Sequence, residues 1–319
     1  MSEFIPSSCS DLHTVLPVIW FGASLAAQQL AHQMTVRWPE MLFLTLEVVK
    51  LPAFGLALVA PLTTGNWSSL VSLSLDSCGL KAQGISLLIQ GNWPALACLH
   101  LSDNCLDAEA MALLVKGKWP LTEINLHYNP ALDAMGIKYL SAANWSLKSL
   151  GISHTPFCAA MVVELAKLQL HDLTTIDLEK TGMAAAAMSE LAKADWPLLR
   201  KLILSQNNLD AAAMHHLSMM CLPKLEVLEL AWANLISAGA YWLARGCYPL
   251  LQRLDLSYNK LDAKAVQYIA NGRWPLLQSL SLTGNPFGRH GWQHLTKGRW
   301  PRLNELVVDP SGHMTALGV

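Results

Sequence analysis

Residues 93–119 read WPALACLHLSDNCLDAEAMALLVKGKW, and this stretch decides the fold. It opens on Trp93-Pro94, passes through Leu96, Leu99 and Leu101 to Asn104, Leu106 and Asp107, and closes on Gly117 just before Trp119. Working outward, the Trp position recurs at Trp38, Trp67, Trp93, Trp119, Trp145, Trp196, Trp274 and Trp300, with Leu170, Leu222 and Tyr248 on the intervening rungs. After a first step of 29 residues every step is 25 or 26, so the sequence holds eleven copies of one unit. A period of this length marks a unit that cannot bury its apolar face alone and relies on its neighbours.

Each part of the unit has a physical reason. Leu99 and Leu101 alternate with Cys98, His100 and Ser102, which predicts a short strand with one face in the core and one outward. Asn104, Asn129, Asn207, Asn259 and Asn285 share one position, where a buried amide satisfies the turning backbone of adjacent units. Cys78, Thr155 and Thr181 replace it elsewhere; Ala233 has no amide, which predicts a local distortion there. Asp107, Asp133, Asp210 and Asp262 precede Ala-rich segments and are read as helix N-caps. Gly91, Gly117, Gly246, Gly272 and Gly298, two residues before the rung, are read as left-handed helix stops. Lys116, Lys118, Arg273, Lys297 and Arg299 share the edge where helices end, and the helix dipole accounts for them.

The core pattern L-x-x-L-x-L-x-x-N-x-L resembles the leucine-rich repeat over about residues 38–309. With a helix in each unit, it is most similar to the ribonuclease-inhibitor-like branch, from which the Trp-Pro rung departs. The resemblance implies an α/β leucine-rich-repeat solenoid, an arc or horseshoe with a parallel β-sheet on the concave face and helices on the convex face. Residues 1–37 are then an N-terminal cap, 38–309 the eleven repeats and 310–319 a C-terminal tail, one domain overall.

Composition narrows the function. Lys plus Arg number 22 against 23 Asp plus Glu, a net charge of −1, which argues against nucleic acid as a partner. At 52% hydrophobic and 14% charged, the chain is far too apolar for disorder. The apolar run 51–62 is broken by Pro52 and Pro61 and falls short of the roughly 20 residues of a bilayer span, so no membrane partner is expected. Glu3 and Asp11, with no Lys or Arg, precede the apolar stretch 15–27, the wrong charge for a secretory leader, and a cytoplasmic protein is expected. Seven cysteines without C-x-x-C spacing read as reduced, buried thiols.

Catalytic motifs are missing. His290 and His294 are four apart, but Gly291 stands where a zinc protease needs its Glu. The turn Gly284-Asn285-Pro286-Phe287-Gly288 lacks the Lys and hydroxyl of a phosphate loop. No catalytic residue, cofactor or metal is assigned, and the chain is expected not to be an enzyme.

Two groups on the expected strand face are candidate partner-binding residues. His100, His127 and His154, with Tyr128, fall on successive units; imidazoles suit a transition metal, but the differing strand offsets favour a polar patch. Lys201, Ile203, Glu229, Trp232, Arg253, Asp255 and Tyr258 combine exposed aromatics with Arg, residue types that dominate interface energetics. The expected function is a non-enzymatic scaffold for a protein or peptide. The resemblance also implies an alternative: a regulator of an enzyme such as a small GTPase or ubiquitin ligase, or a host-directed effector, acting by binding.

Overall fold

The computed structural model describes residues 42–45, 59–60, 62–65 and 67–309. The expected cap at 1–37, the first rung Trp38 and the tail 310–319 lie outside the described residues. The chain divides into two compact units, residues 1–151 and 152–319.

In the first unit, β1 (Phe43–Thr45), β2 (Ser72–Ser74), β3 (Cys98–His100), β4 (Glu123–Asn125) and β5 (Ser149–Gly151) pair in parallel and in sequence order. Their register stacks Leu73, Leu99, Ile124 and Leu150 into one fully buried file. The helices α1 (Lys81–Leu88), α2 (Ala108–Leu114) and α3 (Ala134–Tyr139) lie between successive strands in sequence and pack on one another.

The second unit repeats the plan. Strands β6 (Thr175–Asp177), β7 (Lys201–Ile203), β8 (Val227–Glu229), β9 (Arg253–Asp255), β10 (Ser279–Ser281) and β11 (Glu305–Val307) are again parallel and in order. Helices α4 (Ala159–Lys167), α5 (Ala185–Leu191), α6 (Ala211–Met219), α7 (Ser237–Leu243), α8 (Ala263–Ala270) and α9 (Gly288–Leu295) form the second layer. Ile176, Leu202, Leu228, Leu254 and Leu280 make the buried file, so the middle residue of each of these strands enters the core and its flanks alternate away from it, although Ser74, Cys98 and Ile203 among the flanks of the two units are also covered.

The expected caps form. Asp107, Asp133, Asp210 and Asp262 accept the backbone N–H groups of Ala110, Gly136, Ala213 and Ala265 at 2.8–2.9 Å, satisfying donors that helix geometry leaves free. The amide ladder forms as well: Asn104 Oδ1 accepts from Cys78 and Leu80, Asn129 Oδ1 from Asn104 and Leu106, and Asn207 Oδ1 from Thr181 and Met183.

Three expectations need correction. The glycines before the rung do not adopt left-handed backbone; the described glycines with positive φ are Gly79, Gly182, Gly284 and Gly288. A Cβ on Gly91, Gly117, Gly246, Gly272 or Gly298 would instead stand 2.4–2.8 Å from the ring of the rung two residues on, so glycine is there to admit that ring. The unit around Ala233 is not distorted: β8 keeps register with β7 and β9, and the Ala233 carbonyl accepts from Leu209 at 2.9 Å in place of the missing amide oxygen. The cysteines are not uniformly reduced, buried thiols: Cys98 is disulfide-bonded, Cys105, Cys158, Cys221 and Cys247 are free but exposed, and Cys78 alone among the described free ones is enclosed.

Of the described rungs, Trp67, Trp93, Trp119, Trp196, Trp274 and Trp300 are buried with Leu222 and Tyr248, while Trp145 and Leu170 are half-buried. Trp67 and Trp93 donate to the carbonyls of Leu62 and Leu88, but the indole N–H groups of Trp145, Trp196, Trp274 and Trp300 find no acceptor. The rung therefore acts chiefly through ring volume. No described helix is long and apolar enough to cross a membrane.

Candidate functional site

Parallel register turns the outward strand residues of the second unit into two rows. One runs Thr175, Lys201, Val227, Arg253 and Ser279; the other runs Asp177, Ile203, Glu229, Asp255 and Ser281. Neighbouring members of a row sit about 4.8 Å apart, close enough for direct contact. Lys201 Nζ lies 2.8 Å from Glu229 Oε1, joining the rows diagonally. Arg253 is exposed, while Asp255 accepts the Ser257 N–H at 2.9 Å, a carboxylate closing its own turn. Ile203, expected on the exposed face, keeps only 9% of its surface, since Asp177 and Glu229 flank it.

Asp177 was not singled out by sequence. Burial pushes its carboxyl up to about 6, with Glu179 and Glu229 adding repulsion, against the Glu179 N–H bond and the nearby Lys201 charge. A raised carboxylate stabilises the fold below the unfolded pKa of about 3.9 and loses that contribution as pH climbs through 6. We expect the thermal midpoint of Asp177→Asn, relative to wild type, to rise between pH 4 and 7. A pH-independent difference in parallel melts would remove Asp177 as the source.

Beyond strands β2 to β10 the backbone makes a repeated left-handed step. In the first unit it falls on Ser77, Asp103 and Tyr128, and in the second on His154, Lys180, Gln206, Trp232, Tyr258 and Gly284, with φ between 51° and 70°. The step aims backbone N–H groups at the next repeat: Lys180, Gln206, Trp232 and Tyr258 donate to the carbonyls of Ser205, Ala231, Ser257 and Thr283. Non-glycine residues pay roughly 1–3 kcal/mol for such backbone, and bulky ones are rare there. Because Ser, Asp, Lys, Gln and Gly fill the same step beside Tyr128 and His154, the backbone step itself does not require an aromatic side chain.

Trp232 and Tyr258 nevertheless occupy consecutive steps, 58% and 45% exposed, their rings stacked at 4.5 Å and 8°. Gly284 continues the series, and a Cβ there would meet the Tyr258 ring at 2.5 Å. Its lack of a side chain gives that ring its seat.

The histidine group does not assemble as one site. His100 is the last residue of β3, its Nε2 3.4 Å from Glu123 Oε1, a contact that becomes an ion pair when the imidazole is protonated. Burial lowers its basicity, but Glu123 and Asp76 outweigh that and the net shift is upward. His127 lies two residues past β4, its N–H donating to Asn125 and its ring filling the space left by Gly151. Tyr128 is an exposed left-handed residue. His154 belongs to the second unit, where burial and Lys180 lower its pKa against Glu179. Among the described residues no group of three or more His, Cys, Asp and Glu is placed to hold a metal.

Comparison with known proteins agrees with this geometry. The family model described as "Leucine Rich repeat" matches residues 249–270. A chain of the yeast Rad7–Elc1 complex superposes with a TM-score of 0.50 at 18% identity, over 92% of this chain and 87% of that one. The leucine-rich repeat-containing protein LegL7 from Legionella pneumophila gives 0.54 at 15% identity, over 85% and 91%. An internalin from Listeria monocytogenes gives 0.43 at 13% identity, over 82% and 71%. No curated protein matches. Residues 249–270 thus carry a leucine-rich repeat, and the fold is that of the leucine-rich-repeat solenoid.

Proposed function

We propose that the chain is a non-enzymatic scaffold that binds a protein or peptide on the strand face of its second unit, anchored by Trp232 and Tyr258. The observation that carries this reading is the stacked, exposed pair on consecutive left-handed steps, where Tyr128 is the one other Trp or Tyr and lies between Asp103 and His154 in the series. Exposed aromatics with few rotatable bonds are the residues on which interface energy concentrates. Lys201, Glu229, Arg253 and Asp255 on the adjoining rows supply a charged rim that fixes register. The solution of one fold neighbour as part of a two-protein complex supports a binding use of the architecture. A regulator of an enzyme would use the same surface, because regulation here is binding.

The test is capture of partners from extract of the source organism by wild type and by Trp232→Ala/Tyr258→Ala. The pair is solvent-exposed, so the thermal midpoint should hold while retention of the specific partner weakens by at least about 2 kcal/mol, roughly thirtyfold. Equal retention of the same proteins by both would count against the site.

A further inference from the structure

The helical layer of the second unit holds a feature that binding on the strand face does not explain. Helices α7 and α8 pack together, and near their C-terminal ends is a cleft of about 450 Å³ lined by Tyr241, Arg245, Tyr268, Asn271 and Arg273 with two small residues. No acidic residue lines it.

The walls are ordered by aromatic contacts. Tyr241 and Tyr268 meet edge to face at 5.3 Å, Trp242 packs against Tyr241 at 5.1 Å, and His215 of α6 closes on Trp242 at 4.3 Å. The Arg245 guanidinium carbon sits 4.5 Å from the Tyr241 ring centre, a cation–π contact that holds the charge at the cleft.

Neither arginine has a carboxylate partner among the described residues, so both charges are open to a ligand at the cleft. The surrounding sequence amplifies this: residues 240–304 contain nine Lys and Arg against two Asp and Glu, an excess hidden by the balanced total. A helix C-terminus attracts a cation and repels an anion, but each end carries only about half a charge, against two full guanidinium charges here. The two helix ends account for a cation at each, but they explain neither the tyrosine walls nor the absence of acid.

We propose that this cleft is a binding site for a phosphomonoester. Two guanidiniums suit a dianion better than a carboxylate, and their planar forks, with the one Asn271 amide hydrogen not given to the Gln267 carbonyl, offer donors to its oxygens. The tyrosine rings would flank the organic group. The proposal is independent of the strand-face reading, since it involves the other layer and none of the same residues.

The test titrates the full chain with phenyl phosphate, inorganic phosphate and benzoate, following heat and the ring signals of Tyr241 and Tyr268. Phenyl phosphate should saturate, shift both rings, and bind about tenfold more tightly than either other anion. Arg245→Gln/Arg273→Gln should lose about tenfold with its thermal midpoint unchanged, while Lys297→Gln/Arg299→Gln stays within about twofold. A phosphotyrosine peptide binding more tightly than phenyl phosphate would assign the ligand to a modified protein, and one binding no more tightly would assign it to a small metabolite. Binding unaffected by the Arg245/Arg273 change, benzoate equal to phenyl phosphate, or silent tyrosine signals would overturn the site.

Discussion

Replacing Trp274 by Ala is expected to lower the stability of the second unit by about 3–5 kcal/mol. The ring is fully buried and sits against the backbone of Gly272, where a Cβ would approach it to 2.6 Å. Its removal leaves a cavity that α8 and β10 cannot close without breaking the repeat's register. Because the Trp274 indole N–H finds no acceptor, Trp274→Phe should cost far less than Ala, by keeping most of the ring volume and leaving no bond unmade. Half-buried Trp145 should tolerate Ala better than Trp274 does. Denaturant melts of the three variants check the order; equal losses at 145 and 274 would show that ring volume is not what the rung contributes.

The second large effect is expected at Asn259. Its Oδ1 accepts from Ala233 at 2.9 Å and Leu235 at 3.0 Å, and its Nδ2 donates to Leu230 at 2.8 Å, Leu256 at 3.0 Å and Ser257 at 3.2 Å. Asn259→Ala leaves two buried donors and the Leu230 carbonyl without this amide, a loss of about 3 kcal/mol at roughly 1–3 kcal/mol per stranded group, partly relieved by rearrangement. Ala233 shows what the rearrangement looks like, with a backbone carbonyl standing in for one of the two bonds. Each repeat contacts chiefly its neighbours, so hydrogen exchange should accelerate first at the amides of Ala233 and Leu235. Unchanged protection at both would mean the amide ladder is dispensable.

What was legible in the sequence was whatever the repeat enforces. The types of Leu99, Asn104, Asp107 and Trp119 recur in most units, because one physical demand recurs with them, and each of the four does in the structure what its type allows. The glycines were located correctly but misattributed, since Gly117 or Gly272 looks the same in sequence whether it serves a positive φ or a close-packed ring. The left-handed step was invisible because Ser77, Tyr128, Lys180 and Trp232 share a backbone conformation and no side-chain chemistry. Trp232 and Tyr258 were named as exposed aromatics, and their spacing of 26 residues, one full repeat, is the signal that could have foretold the stack. Asp177 occupies the same row as Glu229 and Asp255, and the register alone would have placed it with them. The cleft at Arg245 and Arg273 arises from two different offsets within adjacent repeats, and it took the packing of α7 on α8 to bring them together.

The central claim is that partners engage the strand face of the second unit at Trp232 and Tyr258, and photo-crosslinking tests it most directly. A benzophenone residue placed at Ser281, on the outward strand row, is compared with one at exposed Gln267 on α8, each in the full chain and in source extract. The account predicts a discrete adduct from position 281 that vanishes on adding Trp232→Ala/Tyr258→Ala, with position 267 yielding none of that species. The same adduct from position 267, or one from 281 that survives loss of both aromatic rings, would contradict it.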